Sequence, residues 1–391
     1  MTKRVLSGVL LTCLLIQGCS SFSVQESIGY CASQARKTLA IEFPENGMPN
    51  SIPSGSDQWQ FTFAGGWTSG FWPGELWYLY EGTEDPFWKE AAIRETEKMM
   101  SVAYKPARSH DVGFMMTTSI GNAYRLTGDI RYKDALVSAA DSLAKLYNPN
   151  VGTILSWPNM VQKMGWPHNT IIDNMLNLEL LFQVALENDR QDLYDLAFRH
   201  AEVTMKHIFR EDWSTFHVMV FDEKTGEFIA GHTHQGWKDE STWSRGQAWA
   251  VYGFTMAYRF TQYQPFLEAA MNAADFFLSH LPEDMIAYWD FDAQKQLGNQ
   301  PRDCSASAIV ASALLELQGF APKGKSAAYL KGAKRIIKSL SSDACRAAGQ
   351  CSAFLLHATG HMPNGYEIDA SISYADYYYI ESLIRLKNLK K

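Results

Sequence analysis

The chain has 391 residues, with 35 Lys and Arg against 42 Asp and Glu for a net charge of −7, and 46% of its residues are apolar. That balance excludes nucleic-acid binding as its main task, because neutralising phosphates needs a basic face. No Pro/Gly/Ser-rich linker or charge run divides it, so residues 19–391 are expected to form one large domain.

Residues 1–18 are not expected to belong to the fold. Lys3 and Arg4 precede an apolar run, Val5 to Ile16, that is too short for a membrane span and reads as a secretory signal. It ends in Ile16-Gln17-Gly18-Cys19, which resembles a bacterial lipoprotein cleavage box. Cys19 would then carry a lipid and hold the protein on a periplasm-facing membrane, in a Gram-negative bacterium.

Apolar residues recur with helical period at about 25–43, 70–82, 86–104, 112–127, 131–147, 171–188, 190–209, 243–260, 263–280, 303–319, 325–341 and 371–388. Every second run, such as Val112 to Leu126 or Ser305 to Leu317, is apolar or small all round, while those between carry a charged face. A helix apolar on all sides must be covered on all sides, so the pattern predicts an all-α fold: an inner ring of six helices inside an outer ring of six, the (α/α)6 six-hairpin barrel. One β-hairpin is predicted near 215–230, with Thr215–Phe221 and Glu227–Ile229 flanking a turn.

In such a ring the inner helices are parallel and their N-termini open at one end, where polar residues collect: His110-Asp111, His168-Asn169 with Asp173, Ser241 to Arg245, Arg302-Asp303 and Ser371 to Ser373. Asp173 has two readings. It is an ordinary helix-start residue, or it is an acid/base in a partly desolvated pocket that keeps it protonated near neutral pH. Trp67, Trp72, Trp157, Trp166 and Trp237 fall on loops between helices, where aromatic faces beside polar groups suit sugar rings, although many of the twelve Trp must simply pack the core. Cys345 and Cys351 flank a short loop and are placed for a disulfide in an oxidising compartment, whereas Cys31 and Cys304 read as small buried residues. His232 and His234 stand alone, without the further ligands that a metal site needs, so neither metal nor other cofactor is expected.

Four segments together resemble glycoside hydrolase family 88, the unsaturated glucuronyl hydrolases: Trp67 to Gly74, His110 to Phe114, Asn169 to Met175, and Thr233 to Gly236 followed by Ser241 to Trp249. The resemblance implies a hydrolase that removes the terminal 4,5-unsaturated uronic acid from lyase-made oligosaccharides by hydrating its C4=C5 enol ether. It makes Asp173 the general acid and base and Asp111 its partner. It assigns His217, Gln235, Trp243, Arg245, Trp249 and Trp67 to substrate binding, with Trp243, Arg245 and Trp249 as a wall against the sugar and Arg245 meeting its carboxylate. A sister family acting on unsaturated rhamnogalacturonides tends to show paired aspartates where Ile172 stands here. An inverting glycosidase with Asp111 and Asp173 as separate acid and base, a histidine-based epimerase and a glycan-binding lipoprotein are the remaining readings.

Overall fold

The computed structural model describes residues 22–389, so the signal segment and Cys19 lie outside the described residues. Twelve long helices follow the predicted order. They are α1 (Val24–Leu39), α2 (Phe71–Thr83), α3 (Pro86–Ala103), α4 (Val112–Met116, continued by Thr117–Gly121 and Asn122–Thr127), α5 (Ile130–Ala144) and α6 (Asn174–Glu187), then α7 (Gln191–Ile208), α8 (Ser244–Thr261), α9 (Gln264–His280), α10 (Cys304–Leu317), α11 (Lys323–Leu340) and α12 (Ser373–Asn388). The even-numbered helices pack side to side into a closed inner ring, and the odd-numbered ones cover them. Composition explains the division. In α10 nearly every residue from Cys304 to Leu317 is buried, and its Ala and Ser residues let both neighbours approach.

The inner ring is tight where it matters for the site. A Cβ on Gly113 would sit 2.5 Å from the Cα of Asn177, so glycine is what lets α4 touch α6 near their first turns. In α4 the hydroxyls of Thr117, Thr118 and Ser119 donate to the carbonyls of Gly113, Phe114 and Met115, four residues back, and the helix widens there into one π-helical turn.

Three small sheets supplement the barrel. β5 (His168–Ile171), β6 (Val218–Phe221) and β7 (Phe228–His232) form one antiparallel sheet, so the predicted hairpin exists but gains a third strand. That strand corrects the predicted start of α6: His168 to Ile171 pair with Val218 to Phe221, the Ile172 N–H donates to His217, and the helix begins at Asn174 rather than Ile171. β1 (Gly47–Ile52) pairs with β2 (Gln60–Phe63) and with β8 (Ser371–Ile372), which leads directly into α12. A short hairpin, β3 (Tyr147–Asn148) and β4 (Thr153–Ile154), completes the set.

The expected Cys345–Cys351 disulfide is absent, and both are free. The turn between them sends the side chains apart. Cys345 enters the main core, and the Cys351 thiol lies 3.6 Å from the Ser371 hydroxyl beside a separate cluster around Ile52 and Trp59.

Candidate active site

Asp111 and Asp173 occupy the residue before α4 and the residue before α6, and neither caps its helix with its side chain. The reason is local. Both have helical backbone angles (φ −61°, ψ −12° and φ −56°, ψ −27°), whereas Asp85 and Asp129, which do cap outer helices, are extended with ψ near 119°. The two carboxyls are thereby released into a cavity of about 210 Å³ that both line. Four other cavities among the described residues are larger, about 630, 580, 550 and 310 Å³, but neither Asp111 nor Asp173 lines any of them. At 210 Å³ the site is smaller than a drug-sized pocket of roughly 300–1,000 Å³, so it suits one terminal sugar with the remainder outside.

Asp173 is the more perturbed of the two. Burial pushes its carboxyl up to about 7; the positive charge of Arg245 opposes this, and the negative charge of Asp111 adds to it. Its Oδ2 has no hydrogen-bond partner and lies 3.6 Å from His217 Nε2. The proton on His217 can be placed: Nδ1 accepts from the backbone N–H groups of His234 and Gln235, which leaves Nε2–H facing Asp173. Burial, and then the neighbouring cationic groups, hold His217 well below the usual histidine range, so it is a neutral donor.

Asp111 is organised by a second relay. The Phe114 N–H donates to Asn177 Oδ1 at 2.7 Å, which turns the Asn177 amide nitrogen to His110 Nδ1 at 3.0 Å. His110 therefore carries its proton on Nε2, 3.3 Å from Asp111 Oδ1, while the Ser109 hydroxyl donates to Oδ2 at 2.7 Å. Burial depresses the His110 pKa, so this contact too is made by a neutral ring.

Arg245 is buried and held by Asp303 at 2.6 Å and by the carbonyls of Thr359 and Gly360, also at 2.6 Å. Its guanidinium is sandwiched between Trp243 and Tyr374, 4.6 and 5.2 Å from the ring centres, and it lines the cavity. Gln235 also lines it and donates to the Gly360 carbonyl, while Trp67, 36% exposed, forms a wall against Tyr374 and Phe114.

Two expected wall residues sit elsewhere. Trp243 and Trp249 are 3% and 0% exposed and do not line the cavity. Trp243 packs behind the site against His217 and Arg245, and Trp249 packs against Phe114 and Tyr378 with its indole N–H toward Asp173. Both brace residues of the site from behind, and the tryptophans in the cavity wall are Trp67 and Trp157. Trp157 is fixed by Asn169, whose side chain makes two hydrogen bonds to the Trp157 backbone.

Sequence reasoning missed the far wall, formed by Asn159, Met160, Ile171, His234, Gly360, His361, Tyr366, Glu367 and Tyr374. His234 and His361 meet edge to face at 4.8 Å, and burial holds both below the usual range, His361 at about 4. The stretch 357–370 gave no periodic signal, and its weak signal was the density of His, Tyr and Glu between two helical runs. His232 pairs with Asp239 and stacks on Trp166 instead of joining His234 in a metal site. Among the described residues no cluster of three or more potential metal ligands occurs.

Residues 34–386 match the model of Glycosyl Hydrolase Family 88. The chain is 37% identical over 374 residues to the unsaturated glucuronyl hydrolase of Formosa agariphila, covering 93% of this chain and 92% of that protein. A solved unsaturated glucuronyl hydrolase specific for heparin superposes with a TM-score of 0.88 at 37% identity, over 94% of this chain and 97% of the other. The enzyme of that kind from Bacillus sp. GL1, described as responsible for glycosaminoglycan degradation, superposes at 0.86 with 31% identity over 93% and 97%. The chain belongs to glycoside hydrolase family 88, built on the (α/α)6 barrel of those enzymes.

Proposed function

We propose that this enzyme releases the terminal 4,5-unsaturated uronic acid from oligosaccharides left by polysaccharide lyases, by hydrating the double bond. The observation that carries the reading is Asp173: a carboxyl titrating at about 7, with one unpartnered oxygen, in a pocket for one sugar. Such a group is protonated often enough near neutral pH to give a proton, and as the carboxylate it is basic enough to take one back.

The substrate is an enol ether, because C5 bears both the double bond and the ring oxygen. Asp173 delivers its proton to C4, and the positive charge that develops is shared by C5 and the ring oxygen. The Asp111 carboxylate supports that charge electrostatically, while His217 Nε2–H stabilises Asp173 once it is ionised. Water then attacks C5 as Asp173 recovers a proton from it, and the resulting hemiketal opens with loss of the glycosidic bond. Leaving-group protonation has no place in this sequence. Arg245 supplies positive potential toward the sugar carboxylate from a guanidinium that Asp303 already holds in place.

Run in heavy water and sampled early, the reaction should place deuterium at C4 of the released sugar and consume the conjugated ultraviolet band. A thioglycoside analogue should still turn over. Retention of the double bond, with inertness towards the thioglycoside, would transfer the assignment to an inverting glycosidase using both aspartates.

The proposed location is the periplasmic face of a membrane, through a lipid on Cys19. What supports it is the charged, apolar and small-residue order of residues 1–19. Cys19→Ala should move the protein out of the membrane fraction of a Gram-negative host, and identical fractionation of variant and parent would remove the anchor.

A further inference from the structure

Cys304 is the first residue of α10, fully buried, and neighbours Cys345, which is 5% exposed; both thiols are free in this structure. The two backbones approach through one segment. The Cys304 N–H donates to the His357 carbonyl at 2.9 Å, and the Leu356 N–H donates to the Cys345 carbonyl at 2.8 Å, with Arg346 bridged to Leu355. Two cysteines 41 positions apart thus grip consecutive residues, Leu356 and His357, of a single segment. That stretch runs on to Thr359 and Gly360, whose carbonyls hold Arg245, and Asp303 beside Cys304 is the carboxylate that pairs with it.

We propose that Cys304 and Cys345 form a disulfide that ties the start of α10 to the 341–347 loop and so locks the anchor of Arg245. Cys351, the neighbour in sequence, is excluded by its position beside Ser371, and Cys31 lies with α1 in the core against α12. The chemistry is ordinary exchange with a small disulfide such as oxidised glutathione. One protein thiolate attacks the reagent disulfide and expels a glutathione thiolate; the second protein thiolate attacks the mixed disulfide and expels the other. Two protein thiols lose two electrons and two protons, and one glutathione disulfide becomes two glutathione molecules. The bond concerns the frame of the site and is independent of which uronide the enzyme opens.

The test is to synthesise the full chain in a cell-free extract poised with oxidised and reduced glutathione, so that oxidation accompanies folding. The sample is then acid-quenched, alkylated, digested and mapped by mass spectrometry. The expected result is one linked species joining the peptides of Cys304 and Cys345, two hydrogens lighter than their sum, with Cys31 and Cys351 alkylated. Dithiothreitol should separate it and lower the thermal midpoint of the same chain. Cys351→Ser should leave both the link and the midpoint difference in place. Full alkylation of Cys304 and Cys345 in the oxidised sample, or Cys345 linked to Cys351, overturns the proposal.

Discussion

Asp173 at the mouth of the inner ring and the carboxyls at its other end are treated in opposite ways. At the mouth, where helices begin, Asp173 has no cation in hydrogen-bond contact; its nearest donors are the neutral rings of His217 and Trp249. At the other end Arg259 pairs with Glu179 and, at 2.8 Å, with Glu316. Arg385 pairs with Glu316 at 2.9 Å and Glu381 at 3.4 Å, and the hydroxyls of Tyr78, Tyr252 and Ser312 complete Glu381. The contrast falls within one helix, since Asp173 and Glu179 lie at the start and middle of α6. Burial raises both carboxyls, yet Asp173 has only an Arg245 already committed to Asp303, whereas Glu179 is met directly by Arg259. Desolvation alone therefore does not make an acid catalyst here. What sets Asp173 apart is desolvation without a cationic partner in a carboxyl that faces a cavity with one oxygen free, whereas Asp376, also raised by burial without a cation, is taken up by the backbone N–H groups of Phe354 and Leu355.

The largest expected effect of breaking this contrast is at Asp173. Asp173→Asn keeps the side-chain shape and the neutral form's polarity but removes the transferable proton, so kcat should fall by about 10²–10⁴ while the fold and substrate affinity persist. Steady-state kinetics on an unsaturated disaccharide, with a binding measurement on the variant, check it. Activity within about tenfold of the parent would mean that another group protonates C4.

A smaller effect in free energy, of a different kind, is expected at the other end. Arg259→Ala leaves Glu179 and Glu316 without their shared cation, and removing one partner of a buried pair costs roughly 3–5 kcal/mol. Arg259 and Glu179 keep 31% and 26% of their side chains exposed, which places the expected loss near the lower figure. Urea unfolding should report about 3 kcal/mol, with KM unchanged for the folded fraction. A variant as stable as the parent but slow in turnover would show that the two ends are not separate in function.

The sequence made the ring legible because twelve amphipathic or all-apolar runs carry the 3.6-residue period over their whole lengths, and the twelve helices fall on those runs. Asp111 and Asp173 were legible from their place at the start of all-apolar helices. What stayed hidden was direction. A Trp in a motif looks the same whether it faces a sugar or braces Arg245, and only the packing shows Trp243 and Trp249 behind the cavity. The small sheets were hidden for another reason. Strands of two to six residues, such as Ser371–Ile372 or Gly47–Ile52 with its Pro49, are made by their partners across the chain rather than by local pattern. The cysteine pairing failed likewise: nearness in sequence pointed to Cys351, and nearness in space is with Cys304.

The smallest expected effect sharpens the contrast most, because it reads the same carboxyl through stability instead of turnover. Asp173 is held at about 7 in the folded protein, against an ordinary carboxylate value near 4 in the unfolded chain. A group whose folded pKa is raised binds its proton more tightly when folded. Its contribution is therefore fully present below about pH 4 and is lost as pH rises from there through 7. Above pH 8 the parent carries an ionised carboxylate in a largely desolvated site, a penalty that Asn does not have. The upper limit from the two titration points is about 4 kcal/mol, and a side chain still 13% exposed to water should show about 1–2 kcal/mol. Asp173→Asn should accordingly gain stability relative to the parent between pH 5 and pH 8, measured as the difference in urea unfolding free energy at each pH. Asp376, raised to about 8 by burial at the start of α12, titrates in both proteins and cancels in that difference. The parent's activity should decline over the same interval as Asp173 loses its proton. If activity falls through pH 7 while the stability difference stays flat, the titrating acid is not Asp173, and the unpaired carboxyl at the mouth has been given the wrong role.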